Sequence, residues 1–88
     1  MKYAALTGTG LVPTTPTVLV VDDEESIRIL LSRVLEQIGC TVLVAEDADS
    51  ALEIMTTAPA HMAVVDLRRP GHDGIWLIER LSEFYPAG

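Results

Sequence analysis

Three aspartates follow two apolar segments of the chain, and their spacing could bring them into one site. Asp22 and Asp23 come directly after the run TVLVV (17–21), and Asp66 ends the run MAVVD (62–66). Carboxylates that share a crevice repel one another and resist desolvation, and a hard divalent cation relieves both costs. Mg²⁺ is typically held by one or two carboxylates, waters and a phosphate oxygen. The pattern therefore predicts a magnesium site in which Asp66 could attack a phosphoryl group and become an acyl phosphate.

The acidic run DDEE (22–25) has a second interpretation, as the start of a helix. Asp23 could be the N-cap, and Glu24 and Glu25 would be favourable acids in the first turn. We prefer this interpretation for the two glutamates. For Asp22 and Asp23 both interpretations stay open, and the metal site gains weight if Asp66 ends a neighbouring strand.

The apolar pattern predicts three strand–helix units that would position these aspartates. Short apolar runs without alternation are typical of strands that are buried on both faces of a parallel sheet. The predicted strands are 17–21, 41–45 and 62–66. Apolar residues at helical spacing predict the helices 24–38, 48–57 and 73–85. The stripe of the first helix consists of Ile27, Leu30, Leu31, Val34, Leu35 and Ile38.

Successive strand–helix units imply right-handed crossovers and a parallel sheet. In such sheets, ligands bind outside the carboxyl ends of the strands. Asp22 and Asp23 stand at the carboxyl end of the first strand, and Asp66 stands at that of the third. The three carboxylates therefore converge if these two strands are neighbours.

The composition restricts the class of protein. The chain has 88 residues, 49% of them hydrophobic, and a formal net charge of -7. These values predict one small folded domain without a basic patch for direct contact with nucleic acid. No apolar run reaches the roughly 18 residues of a membrane span, so no membrane contact is expected. Cys40 is the single cysteine, which excludes an intrachain disulfide and favours a reducing, cytoplasmic location.

Residues 1–16 (MKYAALTGTGLVPTTP) are rich in Thr, Gly and Pro and show no sustained period. This composition predicts a flexible leader, which leaves residues 17–88 as the folded part of the chain. Gly8 and Gly10 form an isolated G-x-G that neither follows a predicted strand nor opens a helix, so it does not indicate a dinucleotide site.

Two segments of the chain, VLVVDDEESIRILLSRVLEQIGCTVLVAEDADSALEIM and VVDLRRPGHDGIWLIERL, closely resemble the receiver domain of two-component response regulators. The resemblance runs from Val18 to Leu81. It depends on the acidic pair after the first strand, the Asp after the third, and the pattern D-x-x-x-P-G-x-D-G. It implies an α/β fold, flavodoxin-like, with a parallel sheet of alternating strands and helices. Residues 17–88 would be a partial receiver domain with three of the five strand–helix units.

The resemblance also implies a function. Asp66 would be the phosphoacceptor, charged by a sensor histidine kinase or a phosphotransfer protein. Asp23 would bind Mg²⁺ directly, Asp22 would assist partly through water, and the backbone carbonyl of Arg68 would be the third protein ligand. The chain would then be a cytoplasmic phosphorelay module and not an enzyme with a separate substrate.

The most serious departure from the receiver pattern concerns the last two strand–helix units. Receivers have the strand order 2-1-3-4-5, with a Ser or Thr after the fourth strand and a Lys after the fifth. Here FYPAG stands where the fourth strand would begin, and the only lysine is Lys2. The alternative is therefore a receiver-like interaction module that does not switch. A hydrolase that works through an aspartyl phosphate is a third class, but such enzymes carry an acid where Arg68 stands.

The missing units have consequences for stability. The outer edge of the strand 62–66 would lack a partner, and part of the first helix's stripe would be exposed. We therefore expect the chain to be marginally stable, molten, or assembled through its third strand. Trp76 lies off the face of its helix that packs on the sheet, which predicts contact with a partner or a missing segment, whereas His61 and His72 are expected to be solvated.

Overall fold

The computed structural model describes residues 3–7, 15–58, 60–67 and 74–84. Its strands are β1 (Tyr3–Thr7), β2 (Thr17–Val21), β3 (Thr41–Ala45) and β4 (Met62–Asp66). Its helices are α1 (Glu25–Gln37), α2 (Ala48–Thr57) and α3 (Gly74–Leu81), and a 3₁₀ turn, Ser82–Phe84, follows α3. The three strands predicted from the apolar runs are confirmed residue for residue, as is α2. The predicted first helix is one residue too long at each end.

The four strands form one sheet in the order β1-β4-β2-β3. β2 pairs in parallel with β3 on one side and with β4 on the other. Val21, the last residue of β2, lies opposite Ala45 and Val65. The structure thus confirms the incomplete flavodoxin-like sheet, with the first and third predicted strands as neighbours.

The segment at the amino terminus differs from the prediction. Residues 3–7 form β1, which pairs antiparallel with β4 along its whole length, from Tyr3 opposite Asp66 to Thr7 opposite Met62. The expectation of a flexible leader is therefore wrong for these five residues, while residues 1–2 and 8–14 lie outside the described part of the chain. The outer edge of β4 is covered by β1, so the predicted self-association loses the open edge on which it depended.

The main core lies on one face of the sheet, under α2 and α3. Side chains from β2 and β4 meet the apolar faces of the two helices there. The buried residues from the helices are Ala48, Ala51, Met55, Leu77 and Leu81. The start of α2 is fixed by Asp47, whose Oδ1 accepts a hydrogen bond from the Ser50 N–H at 2.7 Å.

Helix α1 packs against β2 and β3 on the opposite face, where Val18 and Val20 are buried. None of its own side chains is fully buried. Leu30, Val34 and Ile38 are 56%, 48% and 72% exposed, so the expectation that part of this stripe reaches solvent is confirmed. No helix of the described chain is long and apolar enough to cross a bilayer.

The end of α1 explains how the chain turns back into β3. Gly39 has a φ of 98°, in the left-handed region that favours glycine. Its N–H donates to the carbonyl of Glu36, and the Cys40 N–H donates to that of Leu35 at 3.0 Å. This pair of bonds is the Schellman motif, which satisfies the last carbonyls of the helix and fixes the direction in which β3 begins.

Candidate functional site

The carboxyl ends of β2 and β4 bring three aspartates together. Asp22 and Asp23 follow β2, and Asp66 is the last residue of β4. One carboxylate oxygen from each lies within 4.8 Å of the others. The predicted convergence is therefore present, and it depends on β2 and β4 being neighbours in the sheet.

The three carboxylates differ in exposure. Asp22 and Asp66 are 0% and 1% exposed, whereas Asp23 is open to solvent. Two carboxylates in a partly desolvated space, with a third beside them, concentrate negative charge where water screens it least. The exposed Asp23 marks the side from which a cation or a phosphoryl donor could approach.

Asp22 is held in place by its surroundings. Its N–H donates to the Ala45 carbonyl at 3.1 Å, and its Oδ1 accepts from the Glu24 N–H at 2.9 Å. The Arg28 guanidinium donates to its carbonyl oxygen at 2.8 Å. These bonds tie the acidic loop to β3 and to the first turn of α1, so the loop's shape is set by the fold.

The alternative interpretation of the acidic run as a helix cap is only partly right. Helix α1 has Glu24, not Asp23, at its N-cap position, and no side chain caps it. Glu25 lies in the first turn, as expected for an acid near a helix N-terminus. Asp22 and Asp23 therefore stand before the helix, and Asp23 is left for another role.

The donor set suits Mg²⁺ chemically. Oxygens at about 2.1 Å from an octahedral ion lie about 3.0 to 4.2 Å apart. A spread of up to 4.8 Å therefore fits an ion that binds some of these carboxylates directly and another through water. Since one Asp22 oxygen already accepts from the backbone, Asp22 is the natural candidate for the indirect contact.

Other residues that the sequence singled out do not join the cluster within the described part of the chain. His61 lies at the opposite end of β4, where its Nδ1 accepts from the Thr17 N–H at 3.0 Å. Trp76 packs partly buried against the core. Arg68, which the resemblance makes a ligand through its carbonyl, lies outside the described residues, as does His72.

Sequence reasoning missed two neighbours of the site. Arg28 reaches Asp22 from the first turn of α1, and β1 begins with Tyr3 opposite Asp66. An arginine one turn into a helix after an acidic pair could have suggested the first contact. Nothing local to residues 3–7 indicates the second, because it comes from pairing with a strand more than fifty positions away.

The family model of the response regulator receiver domain matches residues 18–88. Sporulation initiation phosphotransferase F of Bacillus subtilis (strain 168) is 36% identical over 65 residues, which are 74% of this chain and 52% of that protein. The probable chemotaxis protein CheY of Rhizobium etli is 38% identical over 63 residues, or 70% of this chain and 49% of that protein.

A larger regulator shows the same likeness over a smaller share of its length. The alkaline phosphatase synthesis transcriptional regulatory protein PhoP of Bacillus subtilis is 41% identical over 66 residues, which are 75% of this chain and 28% of that protein. The chain thus spans about half the length of the two smaller relatives and less of the larger one.

Proposed function

The chain belongs to the response regulator receiver domain family, whose members are signalling modules, and we propose that its Asp66 is the phosphoacceptor of a two-component phosphorelay. The phosphoryl donor would be a sensor histidine kinase or a phosphotransfer protein. The observation that carries the proposal is the position of Asp66, buried at the carboxyl end of β4 with the oxygens of Asp22 and Asp23 within 4.8 Å.

The transfer would proceed by in-line displacement. A carboxylate oxygen of Asp66 attacks the phosphorus, and the P–N bond to the donor imidazole breaks with its electron pair going to nitrogen. Mg²⁺, when bound, would neutralise negative charge on the phosphoryl oxygens. The fixed Asp22 loop would keep the acidic oxygens in position, so little reorganisation is needed when the donor arrives.

We propose a division of roles among the other groups. Asp23, which is exposed, binds Mg²⁺ directly, and Asp22 assists partly through water. The carbonyl of Arg68 as a further ligand stays a prediction, as does a cytoplasmic location. With a net charge of -7, the segment is also proposed not to contact nucleic acid directly.

Replacing Asp23 by Ala is expected to weaken Mg²⁺ binding by about tenfold or more, because a direct ligand contributes at least as much as an outer-shell partner. The fluorescence of Trp76 during a Mg²⁺ titration gives the affinity. Glu53→Ala is the matched control, since Glu53 is an exposed acid on α2 outside the cluster. If Asp23→Ala and Glu53→Ala both titrate like the wild type, Asp23 is not a ligand.

The proposed function is tested by incubating the wild-type chain with a small acyl phosphate. With Mg²⁺ present, we expect intact-mass spectrometry to show the mass of one added phosphoryl group, and with a chelator we expect none. If neither sample is labelled, the chain is better described as an interaction module that keeps the receiver fold without switching. Labelling that does not depend on Mg²⁺ would contradict the role of the metal.

A further inference from the structure

Asp66 ends a strand that is paired on both sides, with β2 on one side and β1 on the other. β2 pairs with β4 from Val18 opposite Met62 to Val21 opposite Val65. Because the Asp22 N–H points to β3, Val21 faces β4, and in this parallel register its carbonyl faces the N–H of Asp66. The β1 ladder continues one residue further and ends with Tyr3 opposite Asp66. Among the described strands, β1 is therefore the one that covers the outer edge of β4 at the proposed phosphoacceptor.

From this register we propose that β1 is a positioning element of the acidic site, so that the pairing of β1 with β4 and the binding of Mg²⁺ strengthen each other. The inference rests on the proposed function, since it takes Mg²⁺ as the ligand. It assigns no chemical step to β1, which acts through the backbone at the end of β4.

Two physical effects favour the coupling. A residue at the end of a strand keeps its φ and ψ only while its neighbours hold it, and the carboxylate of Asp66 moves with them. β1 also covers the outer edge of β4, and Asp66 is only 1% exposed. When β1 detaches, water can reach that edge and hydrate the carboxylate, which lowers the gain from binding a cation.

The coupling must be reciprocal. If β1 raises the affinity for Mg²⁺, then Mg²⁺ must stabilise the pairing of β1 by the same factor. Hydrogen exchange of the β1 amides measures that pairing directly, because an edge strand opens by local unfolding. In the wild-type chain, we expect saturating Mg²⁺ to slow exchange in Tyr3–Thr7 more than in α2, which contributes no residue to the cluster.

The mutational test uses adjacent prolines. In an antiparallel pair, alternate residues exchange hydrogen bonds with the partner strand. The backbone N–H of either Ala4 or Ala5 therefore donates to β4, and the N–H of the other points away from it. Slow exchange in the wild type identifies the donor. A proline at the donor position removes a hydrogen bond of the ladder, and a proline at the adjacent position is the matched control. Deletion of residues 2–7 serves as a second variant without β1, and it is measured at a concentration at which sedimentation velocity shows a monomer.

We expect the deletion to weaken Mg²⁺ binding by about fivefold to tenfold, a typical coupling factor. The ladder-breaking proline should weaken it less, because the remaining ladder bonds keep β1 paired in part of the chains, and its neighbour should stay near the wild-type value. Wild-type Mg²⁺ affinity in both the ladder-breaking variant and the deletion would overturn the coupling while leaving the Mg²⁺ site intact.

If the wild type itself shows no Mg²⁺ response, the metal site fails and the coupling fails with it. If the variants do not fold, unchanged β1 exchange in the wild type with Mg²⁺ would overturn the inference, and slowed exchange would support it.

Discussion

Asp66→Asn is expected to abolish labelling by a small acyl phosphate, from one phosphoryl group per wild-type chain to none. The amide keeps the shape of the carboxylate but lacks the charged oxygen that attacks phosphorus. Because Asp66 is buried beside Asp22, removing its charge also removes repulsion between carboxylates. The variant should therefore melt at the same temperature as the wild type or higher without Mg²⁺, which separates lost chemistry from lost folding.

The matched control for this substitution is Asp49→Asn. Asp49 is an exposed acid in the first turn of α2 and does not belong to the cluster. It should label like the wild type in intact-mass measurements with Mg²⁺. Equal labelling of Asp66→Asn and the wild type would show that another residue accepts the phosphoryl group.

The strands and helices that could be predicted are those whose signals are local. The run TVLVV is β-branched and ends at an acidic pair, and Gly39 marks the end of α1 by its left-handed conformation. Helical spacing predicts a start of α1 that is one residue too early. In the structure Glu24 takes the N-cap position, and its N–H donates to the Asp22 carboxylate. That contact between a side chain and the backbone is not evident from helical spacing alone.

The convergence of Asp22, Asp23 and Asp66 was predictable because it follows from the general rule on the carboxyl ends of parallel strands. β1 was not predictable in the same way. Its sequence YAALT is short, and its two alanines have little preference for a strand. It becomes a strand because β4 offers a row of unpaired backbone groups, and such a tertiary cause leaves no mark in the local sequence.

A chain that lacks residues 2–7 is expected to be less stable than the full chain and to self-associate. The β1 ladder covers five residues, and a few net hydrogen bonds amount to about 2 to 4 kcal/mol. That is a large share of the roughly 5 to 15 kcal/mol that stabilises a typical small domain. The exposed stripe of α1 leaves this chain with little apolar burial on its second face to compensate.

The self-association would follow from the edge that the deletion uncovers. β4 carries the apolar run MAVV, and its unpaired N–H and C=O groups would be a template for another chain. Sedimentation velocity and thermal melting at several protein concentrations test this. The comparison is a full-length variant in which residues 3–7 are replaced by Gly and Ser. Both variants should melt lower than the wild type and at temperatures that rise with concentration. A strictly monomeric deletion variant with the wild-type melting temperature would mean that β1 contributes nothing to stability, and that β2, β3 and β4 with their helices form a self-sufficient core.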